Sequence, residues 1–126
     1  MSDNFLDGAS SSEGSRGTPA ATFGPAEQAS LASAITRQLR PHWSAPSGVD
    51  VEQLITVVRF RLNRDGSLRG QPDCIRQTGQ TASNAPQVDL HCERAKRAVL
   101  RASPFNLPEQ FYAQWQTITS QFDRRL

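Results

Sequence analysis

The residues of this 126-residue chain that could do chemistry are few. They are Cys74 and Cys92, His42 and His91, and the short break Asn63-Arg64-Asp65-Gly66. A Cys–His nucleophile needs a histidine base beside the thiol and a third group to orient it. His91 adjoins Cys92, and on a helix such neighbours diverge by about 100°. Zinc would want paired ligands at C-x₂-C or H-x₃-H spacing, which the chain lacks. In an oxidising compartment the two cysteines would instead form a disulfide. It would join the end of a strand to a helix and close a loop of about 19 residues, worth roughly 3 kcal/mol in the chain-entropy model. In a reducing compartment the same pair is two small core thiols.

The Asn-Arg-Asp-Gly break invites comparison with a calcium loop, which takes Gly at its sixth position and a bidentate Glu at its twelfth. With Gly66 as sixth, Arg61 is first and Pro72 twelfth. A cation in place of the first carboxylate and no closing Glu remove that reading. Asp-Gly favours the positive φ of a hairpin turn instead. Arg94, Arg97 and Arg101 fall on one side of a helical stretch, either a solvated face or a contact for an acidic partner. Nucleic-acid binding would interleave aromatics with that charge, and the aromatics lie elsewhere. No glycine-rich phosphate loop, carboxylate pair or Ser-His-Asp set can be assembled, so the reading is a non-catalytic protein without cofactor or metal.

Charge and hydropathy agree with a binding module. The net charge is +2, and 13 of the 14 basic residues are Arg, Lys96 being the exception. Asp3, Asp7 and Glu13 against Arg16 make the first 26 residues mildly acidic, so the remainder is the more basic part. This excess suits an acidic partner but falls short of a nucleic-acid footprint. No run approaches the roughly 20 apolar residues that span a bilayer, and the first residues lack the basic and apolar regions of a secretory leader.

The elements that must position these residues follow from periodicity. Residues 1–24, rich in Ser, Gly, Ala, Asp and Thr, read as a disordered linker or expression remnant, and 25–126 as one domain. From Pro25 the apolar residues Leu31, Ile35, Leu39 and Trp43 recur at helical spacing, with Pro41 ending the helix near Arg40. From Leu54 the period becomes two: Leu54, Thr56, Val58, Phe60 and Leu62 face a core, while Ile55, Val57, Arg59 and Arg61 face the other way. Residues 67–76 form a partner strand that Gly70 and Pro72 weaken, so it belongs at an edge or carries a bulge. After a polar loop, Val88, Cys92, Ala95, Val99 and Ala102 define the inner face of a second helix. Residues 108–115 supply a helical turn or two. Trp115, Gln116, Thr117, Ile118, Thr119, Ser120, Gln121, Phe122 and Asp123 alternate as a last strand. The class is α+β, in the order helix, strand, strand, helix, short helix, strand. The small antiparallel-type sheet is centred on 54–62, with a right-handed crossover and strand 115–123 open at an edge.

Four stretches together resemble a known family: "LRPHW" before a Pro/Gly loop, "ITVVRFRLNRDGSL", "AKRAVLRASPFNLP" and "YAQWQTITSQFD". In order and spacing they are similar to the C-terminal periplasmic domain of TolA, over about Leu31 to Asp123, with the TonB energy-transducer domain as the near alternative. Ser103 stands where the family pattern has Ala. His42 and Ala102 stand where such domains often carry Cys. The resemblance implies a non-catalytic periplasmic fragment of an inner-membrane-anchored protein, lacking its membrane helix and stalk. It would couple TolQ and TolR to TolB and Pal, supporting outer-membrane integrity and division, and it would receive partners by strand addition, with Trp115–Asp123 as the docking edge. A TonB-type domain would engage outer-membrane receptors instead. From another class, a small Arg-rich nucleic-acid binder would reveal itself by a steep salt dependence.

Overall fold

The alternation at residues 54–62 decides the architecture. The computed structural model describes residues 22–126, and β1 spans Ile55–Arg61. It is the middle strand of a three-stranded sheet, between β2 (Asp73–Thr78) and β3 (Thr117–Phe122), and it is antiparallel to both. Thr56, Val58, Phe60 and Leu62 are all buried on one face. Against that face lie α1 (Pro25–Leu39) and α2 (Val88–Ala102), so the fold is α+β with a small sheet, as the sequence predicts. On the opposite face Arg59, Arg61, Thr117, Thr119 and Gln121 are exposed.

α1 begins as its sequence requires. Pro25 occupies the first turn, and the Glu27 carboxylate accepts the Gly24 N–H at 2.9 Å, satisfying a donor that no helical carbonyl can reach. Leu31, Ile35 and Leu39 are buried, and a 3₁₀ turn at Arg40–His42 carries the chain off the helix at Pro41. The predicted linker lies outside the described residues up to residue 21. Within it, Phe23 already belongs to the fold, packing edge-on against Phe111 with ring centroids 5.1 Å apart.

The second strand departs from expectation. After Leu62 the chain turns through Asn63–Gly66, where Gly66 has φ +87° and a Cβ would overlap the Phe105 carbonyl oxygen. The Asp65 carboxylate accepts the N–H and hydroxyl of Ser67, hydrogen bonds that hold its pKa below the usual carboxylate value. Only a single bridge, Leu62 to Leu68, follows the turn, and β2 proper starts at Asp73 instead of residue 67. Gly70 at φ +82° and the donorless Pro72 interrupt the ladder between them. The anticipated bulge is present: the register against β1 slips between Val57 and Val58, leaving Ile75 as the extra residue.

α2 is also turned slightly from its predicted face. His91, Ala95, Ala98 and Val99 are buried, and Cys92 is only half-buried at the margin towards β2. From there Cys92 forms a disulfide with Cys74, tying the bulged edge strand to the helix. With a sequence separation of 18 the link should contribute about 3 kcal/mol. Denaturant titrations with and without reductant should differ by that amount, and coincident curves would mean that β2 is held without the bond.

The segment after α2 wraps the turn and leads back to the sheet. Ser103–Pro104 is a cis peptide. The Ser103 hydroxyl accepts the Leu68 N–H at 3.2 Å, and the Gly66 carbonyl accepts the Phe105 N–H at 2.8 Å. A serine at position 103 therefore has a use that alanine would lack. Gln38 of α1 clamps the same segment, donating to the Asn106 carbonyl and accepting the Asn106 N–H. A 3₁₀ turn at Glu109–Phe111 runs into α3 (Tyr112–Trp115). Trp115 is thus helical, not the first residue of the last strand. It is fully buried, and its indole N–H donates to the Pro108 carbonyl at 2.7 Å.

Candidate partner-binding edge

β3 carries the sequence-predicted site, trimmed at both ends. Thr117–Phe122 is strand, Gln116 ends α3, and Asp123 lies just beyond. Ile118 and Phe122 point into the core, Ser120 is half-buried, and Thr117, Thr119 and Gln121 are exposed. The direction of the backbone groups follows from the ladder. The Leu62 N–H donates to the Gln116 carbonyl at 2.9 Å, in the same register as Phe60↔Ile118, Val58↔Ser120 and Thr56↔Phe122. In an antiparallel pair, hydrogen-bonded and non-hydrogen-bonded positions alternate. Ile118, Ser120 and Phe122 therefore bond to β1, while Thr117, Thr119 and Gln121 turn their N–H and C=O groups away from it. Among the described residues, none of those outward backbone groups is hydrogen-bonded.

The two sheet edges are not equivalent. β2 is bulged, follows Gly70 and Pro72, and is stapled to α2 through Cys74. Those are the devices that blunt an edge. β3 is regular over six residues and pairs with β1 without a slip. A second strand could extend the sheet at β3 without rearrangement.

Hydrogen bonds anchor both ends of β3. At its start, the Tyr112 hydroxyl donates to the Leu62 carbonyl at 2.7 Å, and Trp115 fixes the preceding turn. At its end, the Trp43 indole N–H donates to the Asp123 carbonyl at 2.8 Å, while its ring lies 5.2 Å from Phe122 and 5.1 Å from His91.

His91 is the functional-looking group that periodicity hides. It is fully buried, with Nδ1 2.7 Å from the Thr56 hydroxyl, which also accepts from the Gln77 amide at 2.8 Å. Burial pushes its pKa below the ordinary histidine value and outweighs the opposing charge of Asp123. The unfolded chain therefore binds a proton that the folded chain resists, and stability is lost as pH falls below about 6.5. Thermal melts should move downward between pH 7.5 and 5.5, and this slope should flatten in His91→Gln. An unchanged slope in the variant would assign the acid sensitivity to carboxylates.

The other predicted groups are scattered. Arg94 of the basic stripe reaches the Ser44 and Ala45 carbonyls at 3.3 and 3.4 Å, whereas Arg97 and Arg101 are exposed. Among the described residues none of the three arginines forms a hydrogen bond or ion pair with β3. His42 is exposed, far in chemistry from the buried His91. The groove of about 540 Å³ between α1 and Asn106–Pro108 holds neither histidine. Among the described residues no three His, Cys, Asp or Glu side chains gather closely enough to hold a metal ion.

Sequence reasoning passed over Asn84 within a loop read only as polar. It is fully buried, donating to the Asp50 and Gly79 carbonyls and accepting the Thr81 N–H. Its Oδ1 and amide replace a missing strand ladder in the loop that leads to α2. Compared with protein-family models, curated proteins and solved structures, the chain matches none of them.

Proposed function

We propose that this domain is a TolA-type coupling module of the Gram-negative periplasm, non-catalytic, which receives an extended segment of TolB along β3. The observation that carries the reading is the regular edge of β3, with three alternate outward-facing residues, Thr117, Thr119 and Gln121, opposite an edge blunted by a bulge and a disulfide. Strand addition draws affinity from backbone hydrogen bonds and requires such an edge. The Cys74–Cys92 disulfide favours an oxidising compartment. No helix among the described residues is long and apolar enough to cross a membrane, which fits a domain held in the periplasm by parts of the protein outside it. Through those parts TolQ and TolR would act, and Pal would be reached through TolB.

The experiment is a pull-down from envelope extract with the oxidised domain as bait. Retention of TolB supports the reading. Retention of an outer-membrane receptor's extended segment in its place would assign the domain to the TonB type.

A further inference from the structure

We propose that Arg59 and Arg61 select the strand that β3 accepts, favouring a segment with Asp or Glu at every second position. The inference rests on β3 being the docking edge and adds the partner's chemistry to it. Arg59 and Arg61 lie in register with Thr119 and Thr117 on the exposed face of the sheet. Those threonines are short, and both arginines are exposed. A strand added to β3 would lie about 4.8 Å beyond it. Its outer-face side chains opposite Thr119 and Thr117 would then stand roughly 10 Å from the Arg59 and Arg61 backbones, a span that an arginine and a glutamate bridge together.

The charges on this face leave the arginines available. Asp73 is the register partner of Arg59 on the β2 side, and Arg76 lies on the same face opposite Val57. Beyond β3, the Asp123 carboxylate accepts from the Gln121 amide at 3.3 Å and from the Arg125 N–H at 2.8 Å. Arg124 lies 4.0 Å from Glu52. Among the described residues, neither Arg59 nor Arg61 is in an ion pair. The face beside the edge is therefore cationic, and it repeats with the period of two at which an added strand presents its side chains. An acidic residue at alternate positions meets an arginine; a lysine there meets like charge, and cross-strand pairs discriminate on that basis.

Three ten-residue peptides test this, alternating valine with glutamate, with threonine or with lysine. Each is titrated into the oxidised domain while the β3 amide resonances are followed. The expected result is binding at Thr117–Gln121, with the glutamate peptide on the order of tenfold tighter than the threonine peptide and the lysine peptide weakest. In the R59Q/R61Q double variant the glutamate advantage should vanish while the threonine peptide binds as before. Equal affinity of the glutamate and threonine peptides would overturn the selection and leave the docking edge standing. A glutamate advantage that survives in the double variant would assign it to other cations and overturn the role of these two. If no peptide perturbs β3, the docking edge falls and the selection with it.

Discussion

Replacing Thr119 with proline is expected to weaken partner binding at least tenfold while the domain stays folded. The Thr119 N–H points away from β1, so its loss removes no bond of the existing sheet. Proline is tolerated on an edge strand when the missing donor faces outward. An added strand, however, loses one backbone hydrogen bond, worth about 0.5–1.5 kcal/mol, and meets the pyrrolidine ring where its own carbonyl should sit. Ser120→Pro is the matched control, because Ser120 faces β1 and its N–H belongs to the ladder with Val58. That variant should lose stability whether or not a partner binds. Titration calorimetry against TolB, with circular dichroism on each variant, separates the two effects. Unchanged affinity in the folded Thr119→Pro protein would place the docking surface elsewhere, with β2 the next edge to test.

The largest effect on stability is expected at Trp115. Its side chain is fully buried in the hydrophobic core that also holds Leu31, Ile35, Phe111 and Phe122, and it meets Tyr112 edge-on with ring centroids 4.8 Å apart. Truncating a buried Trp to Ala costs about 3–5 kcal/mol. The Pro108 carbonyl would also lose one of its two donors, keeping only the Phe111 N–H. Against a total stability of about 5–15 kcal/mol for a domain, Trp115→Ala should leave little of the cooperative unfolding transition at 25 °C. Had Trp115 been the first residue of an exposed strand, the same change would cost well under 1 kcal/mol. Denaturant titration distinguishes these outcomes directly.

Trp115 also shows where sequence patterns run out. Trp115, Thr117, Thr119 and Gln121 alternate correctly for a strand, and α3 has only four residues, too few to show a helical period against it. Tertiary packing of the indole decides the matter. Long, regular elements were legible: the apolar spacing of α1, the alternation of β1 and its central place, and the open edge at β3 all follow from side-chain type. Gly70 and Pro72 marked β2 as a weakened strand, but the retreat of its start from residue 67 to Asp73 depends on how far the backbone ladder is interrupted between them. His91 and Asn84 were hidden because burial of a polar residue depends on partners far away in sequence, Thr56 for the one and Asp50 for the other. Arg59 and Arg61 were legible as outward-facing, but their significance depends on which strand lies beside them. The Arg94, Arg97 and Arg101 stripe drew attention through local density alone, and among the described residues none of the three bonds to β3.

The direct test of strand addition at β3 is amide hydrogen exchange in the domain, free and bound to TolB. In the free domain the Ile118, Ser120 and Phe122 amides should already be protected by β1, while those of Thr117, Thr119 and Gln121 exchange readily. Binding is predicted to protect the second set and leave the first nearly unchanged, an every-other-residue signature that only an added strand produces. Protection confined to β2 or to the helices, with Thr117, Thr119 and Gln121 still exchanging freely in the complex, would contradict it.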